Sequence, residues 1–299
     1  MLWIWYHLNQ YRFLWSEYSL DLLAWYFLFY ATPYAVFALA ASVQPSFLYR
    51  GYAGRPSIQA ISPTGFQIVR QISFSLLTVV IFSLVALYMF ASSRIHDTNV
   101  IYYSVSDRGW LYLVFSLVLM IILHDAYFYW THRLMHLPYV FRVLHRTHHR
   151  SRTPTAWAAY EFSPAEAFVQ ALYIPLFTWW FPIYWLVFVL FLIHMIFRVV
   201  QIHCGVELMP RRAIDQPLLR HLTTTTHHDL HHRRTQGNYG LYFTWWDRVM
   251  GTELPDYRAE FLRYAGARAA SNDSNAGELR SRDSRLPDKS DAVTGRYRA

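Results

Sequence analysis

The chain runs to 299 residues, which allows one large domain or two modest ones, and it carries a net charge of +8. Apolar residues make up 54%, aromatics 19% and charged residues only 15%, whereas water-soluble domains have roughly a quarter charged residues, so the composition excludes an ordinary soluble globule. A single cysteine, Cys204, excludes an internal disulfide.

A membrane-crossing helix needs about 20 predominantly apolar residues. In chain order the candidates are 20–41, interrupted by Asp21 and Pro33, then 72–91, free of charge, then 110–130, with His124 and Asp125 near its end. A longer run, 168–202, is broken by Pro175 and Pro182 and has room for two passes or a tight hairpin. The first segment is too long for a cleaved signal peptide and lacks a basic stretch directly ahead of it. The predicted fold is therefore all-α: an integral membrane helical bundle with about four to five transmembrane helices and a cytosolic, His-rich helical cap.

Arginine sets the expected orientation. Segment 44–71 has Arg50, Arg55 and Arg70 and no acid, while 92–109 balances Arg94 and Arg108 against Asp97 and Asp107. After the third apolar segment come Arg133, Arg142, Arg146, Arg150 and Arg152. This alternation assigns 44–71 and 133–152 to the cytoplasm, with the 168–202 hairpin entering and returning on that side. From about Gly266 the chain is too polar to offset its ordering entropy and is expected to be disordered. The expected organisation is N-terminal membrane helices and loops over 1–109, a catalytic unit over 110–255 and a C-terminal tail over 256–299. Lys289 is the sole lysine, and this preference for arginine points to a GC-rich host and a bacterial inner membrane, with the endoplasmic reticulum the expectation for a eukaryote.

Of the 15 histidines, most fall in three clusters: His132 and His136; His145, His148 and His149; and His227, His228, His231 and His232. On a helix, residues three and four apart share a face. A headgroup-contacting basic surface accounts for the arginines nearby but not for histidines in helical register three times over. Neutral imidazole is a ligand suited to iron, zinc and copper. Since one zinc takes about four ligands, eight imidazoles, or ten with His203 and His227, imply two metals. Asp125, Glu161, Asp229 and Asp247 are the acids able to steady the ligands' outer ring nitrogens, with Asp229 foremost because it lies inside the third cluster. Trp179, Trp180, Trp185, Trp245 and Trp246 read as an interfacial belt, and Asn238, Tyr239 and Gly240 as a turn folding the third cluster onto Trp245, Trp246 and Asp247.

The run from His124 to His136 (HDAYFYWTHRLMH), the HxxHH motifs at 145–149 and 228–232, and the following TWWDRVMGT at 244–252 together resemble the fatty acid hydroxylase superfamily, which includes sterol desaturases, sterol methyl oxidases and alkylglycerol monooxygenase. The resemblance covers about 110–255. It implies a membrane-embedded non-haem di-iron enzyme, with two iron ions, that uses O2 and external electrons to hydroxylate or desaturate a C–H bond of a sterol-like or fatty-acyl lipid. By match to the family's motifs the ligands would be His132, His136, His145, His148, His149, His228, His231 and His232, with His203 and His227 where members carry further histidines, and Asp229 supporting catalysis. His124 is expected to be structural or to steady a ligand. The implied partners are a bilayer lipid and a redox protein (a small cytochrome, ferredoxin or reductase) on the arginine-rich face, with no nucleic acid.

Other readings have less support. A zinc hydrolase acting on lipid would want fewer ligands and an H-E-x-x-H motif, which is absent. A haem-bearing carrier would have to use His124 and His194 within the bilayer. A transporter would have only His124, Asp125, His194 and Arg198 as its polar path.

Overall fold

The computed structural model describes residues 17–43, 57–59, 62–95 and 101–265; the tail from Gly266, Arg50, Arg55 and Asp97 lie outside them. The described chain is almost wholly helical, with α1 (Glu17–Val43), α2 (Gly65–Ile95), α3 (Gly109–Met135), α4 (Pro164–Ala171), α5 (Tyr173–Trp180), α6 (Trp185–His203), α7 (Thr225–Arg234), α8 (Trp245–Val249) and α9 (Tyr257–Tyr264). Three stretches, Gly65–Met89, Gly109–Met135 and Trp185–His203, are long and apolar enough to cross a membrane. The 27 residues of α1 span about 40 Å and pack along α2 and α6. The protein is an integral membrane helical bundle, as its composition requires.

A small parallel pairing orients the bundle. Strands β1 (Ile101–Tyr102) and β2 (Ile183–Tyr184) lie side by side, one ahead of α3 and the other ahead of α6. Both helices therefore start at one end and finish at the other, α3 with His132 in its last turn and α6 at His203. Helix α2 runs the opposite way: Gln67 and Arg70 bond Thr153 and Ser151 beside the histidines, whereas Met89 meets Thr178 at the far end. Helix α1 returns, with Tyr30 against Phe82, the Tyr34 hydroxyl donating to the Trp157 carbonyl at 2.7 Å, and Phe37 against Phe197.

The run 168–202 departs from two uninterrupted passes. Its return limb is the full-length α6, but its outgoing limb is two eight-residue helices, α4 and α5, separated at Leu172. Pro175 has no N–H to donate, and its ring crowds the carbonyl of Ala171 four residues back, so the helix breaks there.

Candidate metal centre

Helix α3 presents His132 and His136 one turn apart at its C-terminal end. After Pro138 the chain makes a wide π-turn over Phe141–His145 and then a short α-helix, Arg146–His149, and these two pieces carry the second cluster. Such wide turns are rare and concentrate at functional sites. Helix α7 is capped by Thr224, whose Oγ1 accepts from the His227 N–H at 3.1 Å, and ends at Thr235 in the left-handed region. It carries the third cluster.

These elements bring nine imidazoles into two adjoining groups, all but His136 buried: His132, His136, His145, His149 and His231 in the first, and His148, His203, His228 and His232 in the second. Within each group the potential ligand nitrogens lie within 4.8 Å of one another. The groups touch, with ring centroids of His149 and His232 4.8 Å apart.

Tautomers test whether a metal fits. A carbonyl oxygen can only accept, so His132 Nδ1 must donate to Tyr239 O (2.9 Å), His203 Nδ1 to Val199 O (2.7 Å) and His231 Nδ1 to Gly237 O (2.7 Å). In the neutral ring Nε2 is then a bare lone pair. These bare nitrogens face more of their kind: His132 Nε2 is 3.0 Å from His145 Nε2 and 3.3 Å from His136 Nε2, and His203 Nε2 is 3.0 Å from His228 Nε2 and 3.5 Å from His148 Nε2. Two imidazole nitrogens about 2.0–2.1 Å from one metal lie roughly 2.9–3.4 Å apart. Inward-facing lone pairs at that spacing fit a cation in each group.

The surrounding carboxylates differ from those the sequence singled out. Glu166, in α4, places Oε1 2.7 Å from His145 Nδ1 in full burial. Its only signal was Ser163-Pro-Ala-Glu166, a helix-start pattern in which Ser163 Oγ accepts from the Glu166 N–H at 3.2 Å. Asp247 touches none of the nine; it accepts from the N–H groups of Tyr239 and Gly240 at 2.8 Å each and from Thr252 Oγ1 at 2.7 Å. It thereby pins the turn whose carbonyls hold His132 and His231. Gly240 is obligatory there, since a Cβ would sit 2.3 Å from the Phe243 carbonyl. Asp125, on α3, clamps the same segment by accepting from the Tyr242 N–H and Trp245 Nε1 at 2.8 Å each. Asp229 pairs instead with Arg233 Nε at 2.8 Å and Gln59 Nε2 at 3.4 Å, and Glu161 with Arg70 Nε and Ser151 Oγ. His227 belongs to neither group: it lies buried against Tyr257, with Nε2 3.7 Å from Asp247. His124 Nδ1 meets the Tyr242 hydroxyl at 2.8 Å.

Beyond the membrane helices, His136, His145, His148, His149, His228, His231 and His232 are all held well below the ordinary imidazole range, first by burial and then by each other's charge. They stay neutral and ready to bind metal. The unfolded chain, by contrast, takes up protons below about pH 6.5. Stability of the metal-free protein therefore falls as pH drops through that value, by up to about 1.4 kcal/mol per pH unit for each such histidine. Thermal unfolding in detergent should show the midpoint of metal-free protein dropping between pH 7.5 and 5.5, and a flat profile would contradict the buried neutral rings. Glu166→Gln should weaken metal retention about 10–100-fold, because it removes the carboxylate steadying His145; a chelator titration reads this directly, and unchanged retention would show Glu166 to be packing only.

Against known proteins, residues 117–252 match the family described as fatty acid hydroxylase. Among curated relatives, the chain is 29% identical over 186 residues to the Delta(7)-sterol 5(6)-desaturase ERG3B of Gibberella zeae, covering 62% of this chain and 56% of that one. It is 32% identical over 207 residues to the Delta(7)-sterol 5(6)-desaturase erg3C of Aspergillus fumigatus, covering 62% of each. With the lathosterol oxidase of Homo sapiens it shares 31% identity over 194 residues, covering 62% of this chain and 61% of that one. The chain thus spans about three fifths of the length of the curated relatives it matches. No solved structure matches it. The matched residues hold all nine converging imidazoles, Asp125 and the Asp247 turn, the features in which the chain is similar to the fatty acid hydroxylase family.

Proposed function

We propose that this protein is a membrane-bound non-haem di-iron oxygenase that uses O2 and external electrons to hydroxylate or desaturate a C–H bond of a sterol-like or fatty-acyl lipid. The observation that carries the reading is the division of nine imidazoles into two touching groups at one end of a membrane bundle. Bound iron would supply the oxidising power needed for an unactivated C–H bond, and imidazole donors suit iron. His132, His136, His145, His149 and His231 would hold one ion, and His148, His203, His228 and His232 the other.

The chain's own residues do the rest. Glu166 and the carbonyls of Val199, Gly237 and Tyr239 orient the ligand rings. Behind them lies an apolar cavity lined by Phe82, Phe128, Phe162, Phe191 and Met195 among others. Phe128 packs on His132 of the first group and Phe162 on His148 of the second, so a lipid in the cavity would reach both while water is kept out. The relatives' names support a sterol-like substrate. The arginine distribution supports a centre on the cytoplasmic side of a bacterial inner membrane or the endoplasmic reticulum, with a small cytochrome, ferredoxin or reductase docking there. We assign the catalytic unit to 110–255.

Purified protein reconstituted with iron should bind two irons per chain. Cells with and without it, grown under ¹⁸O2, should differ in a lipid that has gained ¹⁸O or lost two hydrogens. No differing lipid would overturn the reading.

A further inference from the structure

Oxidisable rings are unevenly placed around the nine imidazoles. Among the described residues, the carbon rings packed on them are phenylalanines, Phe128, Phe141 and Phe162, with one exception, Tyr239. The Tyr239 ring centroid lies 5.1 Å from His136, 5.6 Å from His231 and 5.7 Å from His132, all members of the first group. Tyr239 also meets Tyr129 at 6.3 Å. Tyr129 in turn stacks on Trp246 at 5.8 Å and meets Trp130 at 5.4 Å, and the two indoles lie 5.9 Å apart. Tyr129 is fully buried, whereas Trp130 is 46% exposed. A continuous path of tyrosine and tryptophan thus joins the first group to the surface, every step within the roughly 4.5–7 Å of ring contact.

Tyr129 is also placed to release a proton, and a phenol yields an electron readily only when its proton can leave as well. The Asp247 carboxylate can only accept, so Thr252 Oγ1 directs its one proton to Asp247 at 2.7 Å and must itself accept from the Tyr129 hydroxyl at 3.0 Å. Arg133 Nη1 donates to the same hydroxyl at 3.3 Å, which opposes the phenol keeping its proton. The phenylalanines at the other contacts have neither an easily lost electron nor a proton to give. A strong oxidant at the first group therefore has one route out through side chains.

We propose that Tyr239, Tyr129 and Trp130, with Trp246 beside them, form a one-electron discharge path that drains oxidising equivalents from the first histidine group when no lipid is there to consume them. Tyr129 gives up one electron, which crosses the Tyr239 ring to the oxidised centre, and its phenolic proton moves to Thr252 as the Thr252 proton moves to Asp247. Trp130 refills Tyr129 with an electron, and the protons return along the same bonds. A water-soluble thiol then refills Trp130, releasing a proton and ending as half of a disulfide. Over the cycle one electron passes from thiol to centre, and no bond within the protein is gained or lost. This rests on the oxygenase reading and goes beyond it: the path protects the protein and takes no part in lipid turnover.

The test uses full-length protein in detergent, loaded with ferrous iron or with zinc, which has no redox chemistry, and exposed to O2 without lipid. A tryptophan radical left unfilled takes up oxygen, so peptide mass spectrometry reads where the electron was lost. The summed mass gain at Trp130 and Trp246 should be severalfold higher with iron than with zinc. Trp179 and Trp180, 81% and 76% exposed at the far end of the bundle, report oxidation from solution, and the iron-dependent gain should be absent there. In Tyr129→Phe, which keeps the ring, the gain at Trp130 and Trp246 should fall to the zinc level with iron content unchanged. Equal gain with both metals, equal gain at all four tryptophans, or an undiminished gain in Tyr129→Phe would each overturn the proposal. If that variant does not fold, the wild-type comparisons of iron with zinc and of Trp130 with Trp179 decide alone. Iron content of the same samples separates the failures: a chain that binds no iron fails both readings, whereas two bound irons without a selective gain overturn the discharge path alone.

Discussion

His148→Ala and His231→Ala are each expected to leave a helical, membrane-inserted protein that retains at most one tightly held metal and turns over no lipid. The i, i+4 pairs His132/His136, His145/His149 and His228/His232 each lie within one group. His148 and His231 cross instead: His148 leaves its neighbours for the second group and His231 for the first. Each therefore joins elements that no helical pair connects, His231 Nε2 lying 3.0 Å from His149 Nε2 across 82 residues of chain. Removing an outer partner of a metal ligand costs about 10–100-fold in affinity or activity, so removing a ligand at a junction should exceed about 100-fold. Metal stoichiometry after dialysis, alongside product formation, reads the result. A variant that keeps both metals and full turnover would refute the grouping.

Asp247→Ala should be the most damaging change outside the ligands, although Asp247 contacts none of them. Its carboxylate is fully buried and accepts three hydrogen bonds from Tyr239, Gly240 and Thr252. Truncation strands those donors, which at about 1–3 kcal/mol each predicts a loss of roughly 3–5 kcal/mol. The turn they hold supplies the carbonyls that fix the tautomers of His132 and His231, so metal retention should fall with stability. Thermal unfolding and metal content should decline together in this variant; loss of stability with intact two-metal retention would show that the turn does not orient the ligands.

Much of this molecule was legible in its residues. Apolar run length marked the helices α2, α3 and α6, because a bilayer demands about 20 such residues whatever packs beside them. Histidine spacing marked the clusters, because the helical repeat puts positions four apart on one face. The placement of the histidines at one end follows from alternating segments, a property of chain order.

What the residues could not convey is who meets whom across distance. Helical periodicity states which face a side chain occupies but not its partner, so neither the crossing of His148 and His231 nor the separation of His203 from His227 follows from spacing. Glu166 was passed over in favour of Asp229 because nearness along the chain is a poor guide once α4 folds back against the second cluster. Asp125 reaches Tyr242 across 117 residues, and the apolar cavity draws its lining from helices far apart in the chain, from Tyr30 to Leu241. Local preferences are written residue by residue and survive in isolation; contacts between distant helices arise from packing, where each partner is chosen by all the others.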